Sequence, residues 1–130
     1  MAAIQSHFPP GAATLGPYSP AVSVGDFVYT SGQIPRNKSG AMVGDTIEAA
    51  TQQSLENLRE VLAAAGCGPA DVIKTTVFMQ DLNDFEGMNK TYAAFFGDHR
   101  PARSTVQVAK LPANARVEIE CIARRTVLSS

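Results

Sequence analysis

The sequence predicts an α+β domain of two layers, two helices lying on one face of a mixed β-sheet. Two segments with apolar residues at helical spacing, and β-branched or alternating runs before, between and after them, carry that prediction. A chain of 130 residues fits one domain around one core, so 1–130 is read as a single unit.

Residues 1–20 are rich in Gly, Pro and Ala and read as irregular, 1–16 forming an N-terminal arm. Ala21–Val24 and Phe27–Thr30 follow as strands. Gly25-Asp26 between them suits a two-residue type II′ turn, with Gly first. Asp45 is expected to cap the first helix, paired with Glu48 three residues on. Ile47, Ala50, Leu55, Leu58, Val61, Leu62 and Ala65 form its apolar stripe, and Gly66 is placed to end it in a left-handed conformation. Val72–Met79 is β-branched and apolar, as a central strand requires.

Asn83, with Glu86 behind it, is expected to cap the second helix. Phe85, Met88, Tyr92, Phe95 and Phe96 form that helix's stripe, and Gly97 and Pro101 end it. Residues 103–110 and 116–123 are read as a closing antiparallel pair joined by the turn 111–114. On the first, Val106 and Val108 share a face opposite Arg103, Thr105 and Gln107. On the second, Val117, Ile119, Cys121 and Ala123 share a face opposite Arg116, Glu118 and Glu120. Two helices cover one sheet face only, leaving the other to solvent or a second subunit.

Composition narrows the function. Charged residues make up 18%, little for a small monomer, and a subunit that hides surface in an oligomer accounts for the deficit. Net charge is -1 and basic residues are scattered, which argues against nucleic acid as partner. Cys67 and Cys121 lie in no Cys-x-x-Cys pair and read as free thiols. Neither a secretory signal nor a membrane-spanning run is visible, so a cytoplasmic protein is expected, with a mitochondrial address left open. There is no Gly-x-Ser-x-Gly elbow and no metal-spaced histidine set. His7 and His99 read as solvated loop residues.

Chemistry must then come from Arg, Glu, Tyr, Ser or main-chain groups. Arg103 opens a strand after a Pro-bounded turn and could grip a carboxylate with its guanidinium fork. An ordinary surface arginine or an intersubunit ion pair is the plain alternative. Glu118 could act as general base, or be a solvated strand carboxylate like Glu120. Asn89, four residues after Phe85, falls on an apolar stripe where its amide needs partners, in the fold or on a ligand. Tyr18, in the rigid turn Gly16-Pro17-Tyr18-Ser19-Pro20, could pack or cover a pocket. Ser31-Gly32 at a strand end could offer a hydroxyl and an N–H. Cys121 alternates with core residues and reads as a small buried hydrophobe; Cys67 is given no role.

Seven segments, in order, carry a resemblance. They are Gly-Pro-Tyr-Ser-Pro-Ala-Val (16–22), Thr-Ser-Gly-Gln-Ile-Pro (30–35), Lys-Thr-Thr-Val-Phe (74–78), Asp-Leu-Asn-Asp-Phe (81–85), Met-Asn-Lys-Thr-Tyr (88–92), Pro-Ala-Arg-Ser (101–104) and Val-Glu-Ile-Glu-Cys-Ile-Ala (117–123). Through them the chain resembles the RidA/YjgF family of reactive enamine/imine deaminases. The resemblance implies a chorismate-mutase-like fold and a homotrimer with clefts between subunits. It implies hydrolysis of small 2-imino acids to 2-oxo acids and ammonia, without metal or organic cofactor. It assigns the carboxylate to Arg103 and the hydrolytic water to Glu118 rather than Glu120. Tyr18 joins them as a catalytic residue, and Ser31, Gly32, Asn89 and Thr105 as substrate contacts. Thr105 stands where many members have Cys, which removes thiol-based switching there, and Pro20 replaces a common Gln. A non-enzymatic sensor of small carboxylates, RNA cleavage, translation inhibition and chaperone-like holding are the other readings.

Overall fold

One mixed sheet organises the structure, a computed structural model that describes residues 3–12 and 16–126. Its strands are Gln5–His7 (β1), Ala21–Val24 (β2), Phe27–Thr30 (β3), Val72–Met79 (β4), Ala102–Gln107 (β5) and Val117–Arg124 (β6). The α-helices among the described residues are Ile47–Ala64 (α1) and Phe85–Phe96 (α2). Across the sheet the strands run β1-β2-β3-β6-β4-β5. All neighbours are antiparallel except β4 and β5, which run parallel because α2 carries the chain back between them.

Register decides the layers. Val77 pairs with Ile119, Met79 with Val117, and Val28 with Ala123, and all of these side chains are buried on one side. Both helices pack there. Leu55, Leu58 and Leu62 of α1 and Met88, Tyr92 and Phe96 of α2 join the strand residues in one core. Each such leucine contributes about 2 kcal/mol by leaving water. The other face has no helix. It presents Phe27, Tyr29 and Val106, each more than 40% exposed, beside half-buried Ile122 and Phe78.

Local signals were mostly where the sequence put them. Gly25 has φ +59° while Asp26 does not take a positive φ, as a type II′ turn requires. Gly66 sits at φ +80°, and the Cys67 N–H returns to the Leu62 carbonyl at 2.8 Å to close α1. Both helix caps differ from expectation. Thr46, not Asp45, caps α1, its hydroxyl accepting from the Ala49 N–H at 3.0 Å. Asp81, not Asn83, caps the short 3-10 turn before α2, accepting from the Asn83 N–H at 2.8 Å. At α1 the neighbouring threonine takes the cap because the helix starts one residue later than expected. The α2 helix itself starts from Asp84 with no side-chain cap, continuing directly from the 3-10 turn Leu82–Asp84.

Two larger expectations are corrected. The arm is not wholly irregular, since β1 adds an edge strand against β2. It is tied by His7 Nε2 to Ser23 Oγ at 2.7 Å. And β5 and β6 are not neighbours: β4 lies between them, and the loop from β5 crosses over it. Val106 accordingly pairs with Phe78 on the uncovered face, while Arg103 and Thr105 turn toward the helices.

Candidate active site

The residues singled out from sequence gather in two places rather than one. The first is on the uncovered face. Glu118 and Glu120 project there from β6, two residues apart and hence on the same side. The segment leaving β3 runs beside them. Gln33 donates its N–H to the Ile119 carbonyl at 2.8 Å, and the Ile119 N–H returns to the Gln33 carbonyl at 3.2 Å. That bridge brings Gly32 under the Glu118 side chain. A Cβ on Gly32 would stand 2.7 Å from Cγ and Cδ of Glu118, closer than any side chain tolerates. Glycine is therefore what lets the carboxylate lie flat against the main chain.

Ser31 fastens the other wall. Its N–H donates to the Pro20 carbonyl at 2.8 Å and its hydroxyl to the Ser19 carbonyl at 2.7 Å. The Gly16–Pro20 turn is thereby held over the same region, with Tyr18 about half exposed. Tyr18, Ser31, Gly32 and Glu118 line one open depression of about 1100 Å3, together with Arg36 and the Pro9-Pro10 segment of the arm. Glu118 is half-buried. Burial first, and then the like charge of Glu120, hold its carboxyl above the usual carboxylate range. Such a group is a better proton acceptor than a free carboxylate.

The second place is on the helix side, at the edge of the sheet. Arg103 is the register partner of Thr75, so both face α2. Its guanidinium carbon lies 4.8 Å from the centre of the Tyr92 ring and 5.6 Å from that of Phe85. The Tyr92 hydroxyl is bonded to Thr75 Oγ1 at 2.7 Å. Burial pushes the Tyr92 phenol up. Asn89 is exposed rather than buried in the stripe, as is Phe85 one turn before it on α2. Thr105 is one step further along β5; its Oγ1 is buried and meets no hydrogen-bond partner among the described residues.

Arg103 and Glu118 are therefore not brought together within one chain. Reading β5 and β6 as adjacent placed the two on one face, and the intervening β4 undoes that. The aromatic seat of Arg103 was also missed. Phe85 and Tyr92, seven residues apart on one helical face, were the signal for it. Neither histidine is a solvated loop residue: His7 bonds Ser23, and His99 Nε2 donates to the Val72 carbonyl at 2.7 Å. Cys121 is buried as expected, its thiol pushed by burial up to about 12. Burial and then Asp71 raise the Cys67 thiol too. Neither has the depressed pKa of a reactive thiol.

The sequence matches the family model described as Endoribonuclease L-PSP over residues 10–125. It is 48% identical over 116 residues to the 2-iminobutanoate/2-iminopropanoate deaminase of Salmonella typhimurium, covering 87% of this chain and 91% of that one. Among solved structures, the YjgF gene product of Escherichia coli superposes with a TM-score of 0.83 at 48% identity, covering 88% of this chain and 92% of that one. Escherichia coli TdcF with bound serine superposes with a TM-score of 0.88 at 42% identity, covering 94% and 99%.

Proposed function

Because the chain belongs to the endoribonuclease L-PSP (RidA/YjgF) family, we propose that it is a 2-iminobutanoate/2-iminopropanoate deaminase, hydrolysing small imino and enamine acids to 2-oxo acids and ammonia. The observation that carries this is the 48% identity, over nearly the whole of both chains, to an enzyme of that name.

The residues fit the chemistry. An imine carbon is already electrophilic, so hydrolysis needs a held substrate, a positioned water and proton transfer. Arg103 holds the substrate carboxylate. Glu118 takes a proton from water as the oxygen bonds to C2, and the imine nitrogen gains a proton. The carbinolamine then loses ammonia and leaves the 2-oxo acid. Tyr18 closes over the Glu118 side, Ser31 and Gly32 contribute main-chain groups, and Asn89 and Thr105 flank Arg103. The raised pKa of Glu118 supports its role as base.

The working site lies between subunits. Arg103 of one chain and Glu118 of its neighbour face one cleft, in a homotrimer of chorismate-mutase-like subunits. Two facts support this: the residues project from opposite faces of the sheet, and the uncovered face exposes Phe27, Tyr29 and Val106. We place the protein in the cytoplasm, with a mitochondrial address the other reading. Among the described residues no helix is long and apolar enough to cross a membrane.

The test generates the imine in situ, with an amino-acid oxidase or threonine dehydratase, and traps it with semicarbazide. The protein should speed 2-oxo acid release and lower semicarbazone yield, and Arg103→Ala should lose both effects. A parent protein that leaves 2-oxo acid release unchanged overturns the assignment.

A further inference from the structure

An arginine that must grip a planar carboxylate has a problem of its own. Its side chain is long and flexible, and each rotamer it must abandon weakens binding. Among the described residues no carboxylate lies within ion-pairing distance of Arg103 to hold it. The restraint comes from aromatic rings instead. The guanidinium carbon lies over Tyr92 at 4.8 Å and over Phe85 at 5.6 Å. Tyr92 is itself held in place at ring and hydroxyl: it is 6% exposed, its ring packs on Phe96 at 4.8 Å, and its hydroxyl is bonded to fully buried Thr75. Thr75 is also the residue against which Arg103 pairs across β4 and β5. The loop is closed: Thr75 fixes the Arg103 main chain through the sheet and, through Tyr92, the seat of its side chain.

We propose that Phe85 and Tyr92, tethered by Thr75, are positioning residues that pre-set the Arg103 guanidinium for a bidentate grip on the substrate carboxylate. A ring contact leaves every N–H of the fork free for the ligand, which an ion pair with a neighbouring carboxylate would not. The proposal rests on the reading of Arg103 as the carboxylate anchor, and the experiment separates the two.

Phe85 lies at the surface, so Phe85→Leu keeps the fold, as thermal melting would verify. It should raise KM about fivefold with kcat nearly unchanged, the loss expected for one exposed cation–π contact. Phe85→Tyr, which restores a ring face, should return KM to the parental value. Tyr92→Phe keeps the ring but cuts the tether, and should also raise KM. Calorimetric titration with 2-oxobutanoate should follow the same order without requiring turnover. If Arg103→Ala weakens 2-oxobutanoate binding while Phe85→Leu and Tyr92→Phe do not, the aromatic seat is wrong and the anchor stands. If Arg103→Ala leaves affinity unchanged, the anchor fails and the seat with it. A rise in KM that Phe85→Tyr does not reverse also overturns the seat.

Discussion

Arg103 and Glu118 point to opposite faces of the same sheet. Their partners on β4 are Thr75 and Phe78, three residues apart, and an odd spacing along a strand reverses the side. No rotamer change brings the two side chains to one pocket within a chain.

Subunit mixing should therefore restore activity. Arg103→Ala and Glu118→Ala homo-oligomers are each expected to be inactive. Unfolded together in equal amounts and reassembled, random assortment pairs an intact Arg103 with an intact Glu118 in about a quarter of clefts. Imine-trapping assays on the mixture should recover that fraction. A mixture as inactive as its components argues for a site within one chain.

Gly32→Ala should disable the site while leaving the core alone. The added methyl would stand 2.7 Å from Glu118 Cγ, so the carboxylate must swing away. Misplacing a general base typically costs about 100-fold. We expect kcat/KM to fall by at least about tenfold while the melting temperature stays within a few degrees.

The pH profile should carry Glu118's signature. A general base must be ionised, so kcat/KM should rise with pH through a pKa above the usual carboxylate range. Glu120→Gln removes the like charge that contributes to the shift and should move this limb to lower pH, though burial keeps it elevated. Stability runs the other way. The folded protein holds the Glu118 proton more tightly than the unfolded chain does. The group's contribution is thus full below the unfolded pKa and lost as pH rises through the folded one. Glu118→Gln should be more stable than the parent at pH 7 and equal to it near pH 3. Urea melts at the two values check the sign.

Thr105→Val should stabilise the isolated fold. The Thr105 hydroxyl oxygen is buried and lacks a hydrogen-bond partner among the described residues. Replacing it by a methyl of similar shape removes a desolvation cost of about 1 kcal/mol. Denaturant unfolding measures the gain directly. A loss of stability instead would mean that the hydroxyl finds a partner across a subunit contact.

What the sequence made legible was whatever is local. The type II′ hairpin at Gly25, the stop at Gly66 and the stripes of α1 and α2 follow from turn chemistry and 3.6-residue spacing. What it left hidden was strand order. Arg103 and Glu118 read as neighbours because residues 103–110 and 116–123 adjoin in sequence, and a turn-length connection favours a hairpin. The α2 crossover commits β5 to the parallel edge beside β4, and periodicity carries no trace of that choice. Asn89 shows the same limit: its helical face was readable, but not that this part of the face is left exposed.

The position of β6 also sets the order of assembly during synthesis. This strand is the last made among the described residues, yet it occupies the middle of the sheet, hydrogen-bonded to β3 on one side and β4 on the other. Until residues 117–124 leave the ribosome, the β1-β2-β3 and β4-β5 parts each carry a bare inner edge, the kind that invites pairing with another chain. Both inner edges stay open on a nascent chain until β6 has been made and inserted between them. The strand that ends this exposure is the one that delivers Glu118.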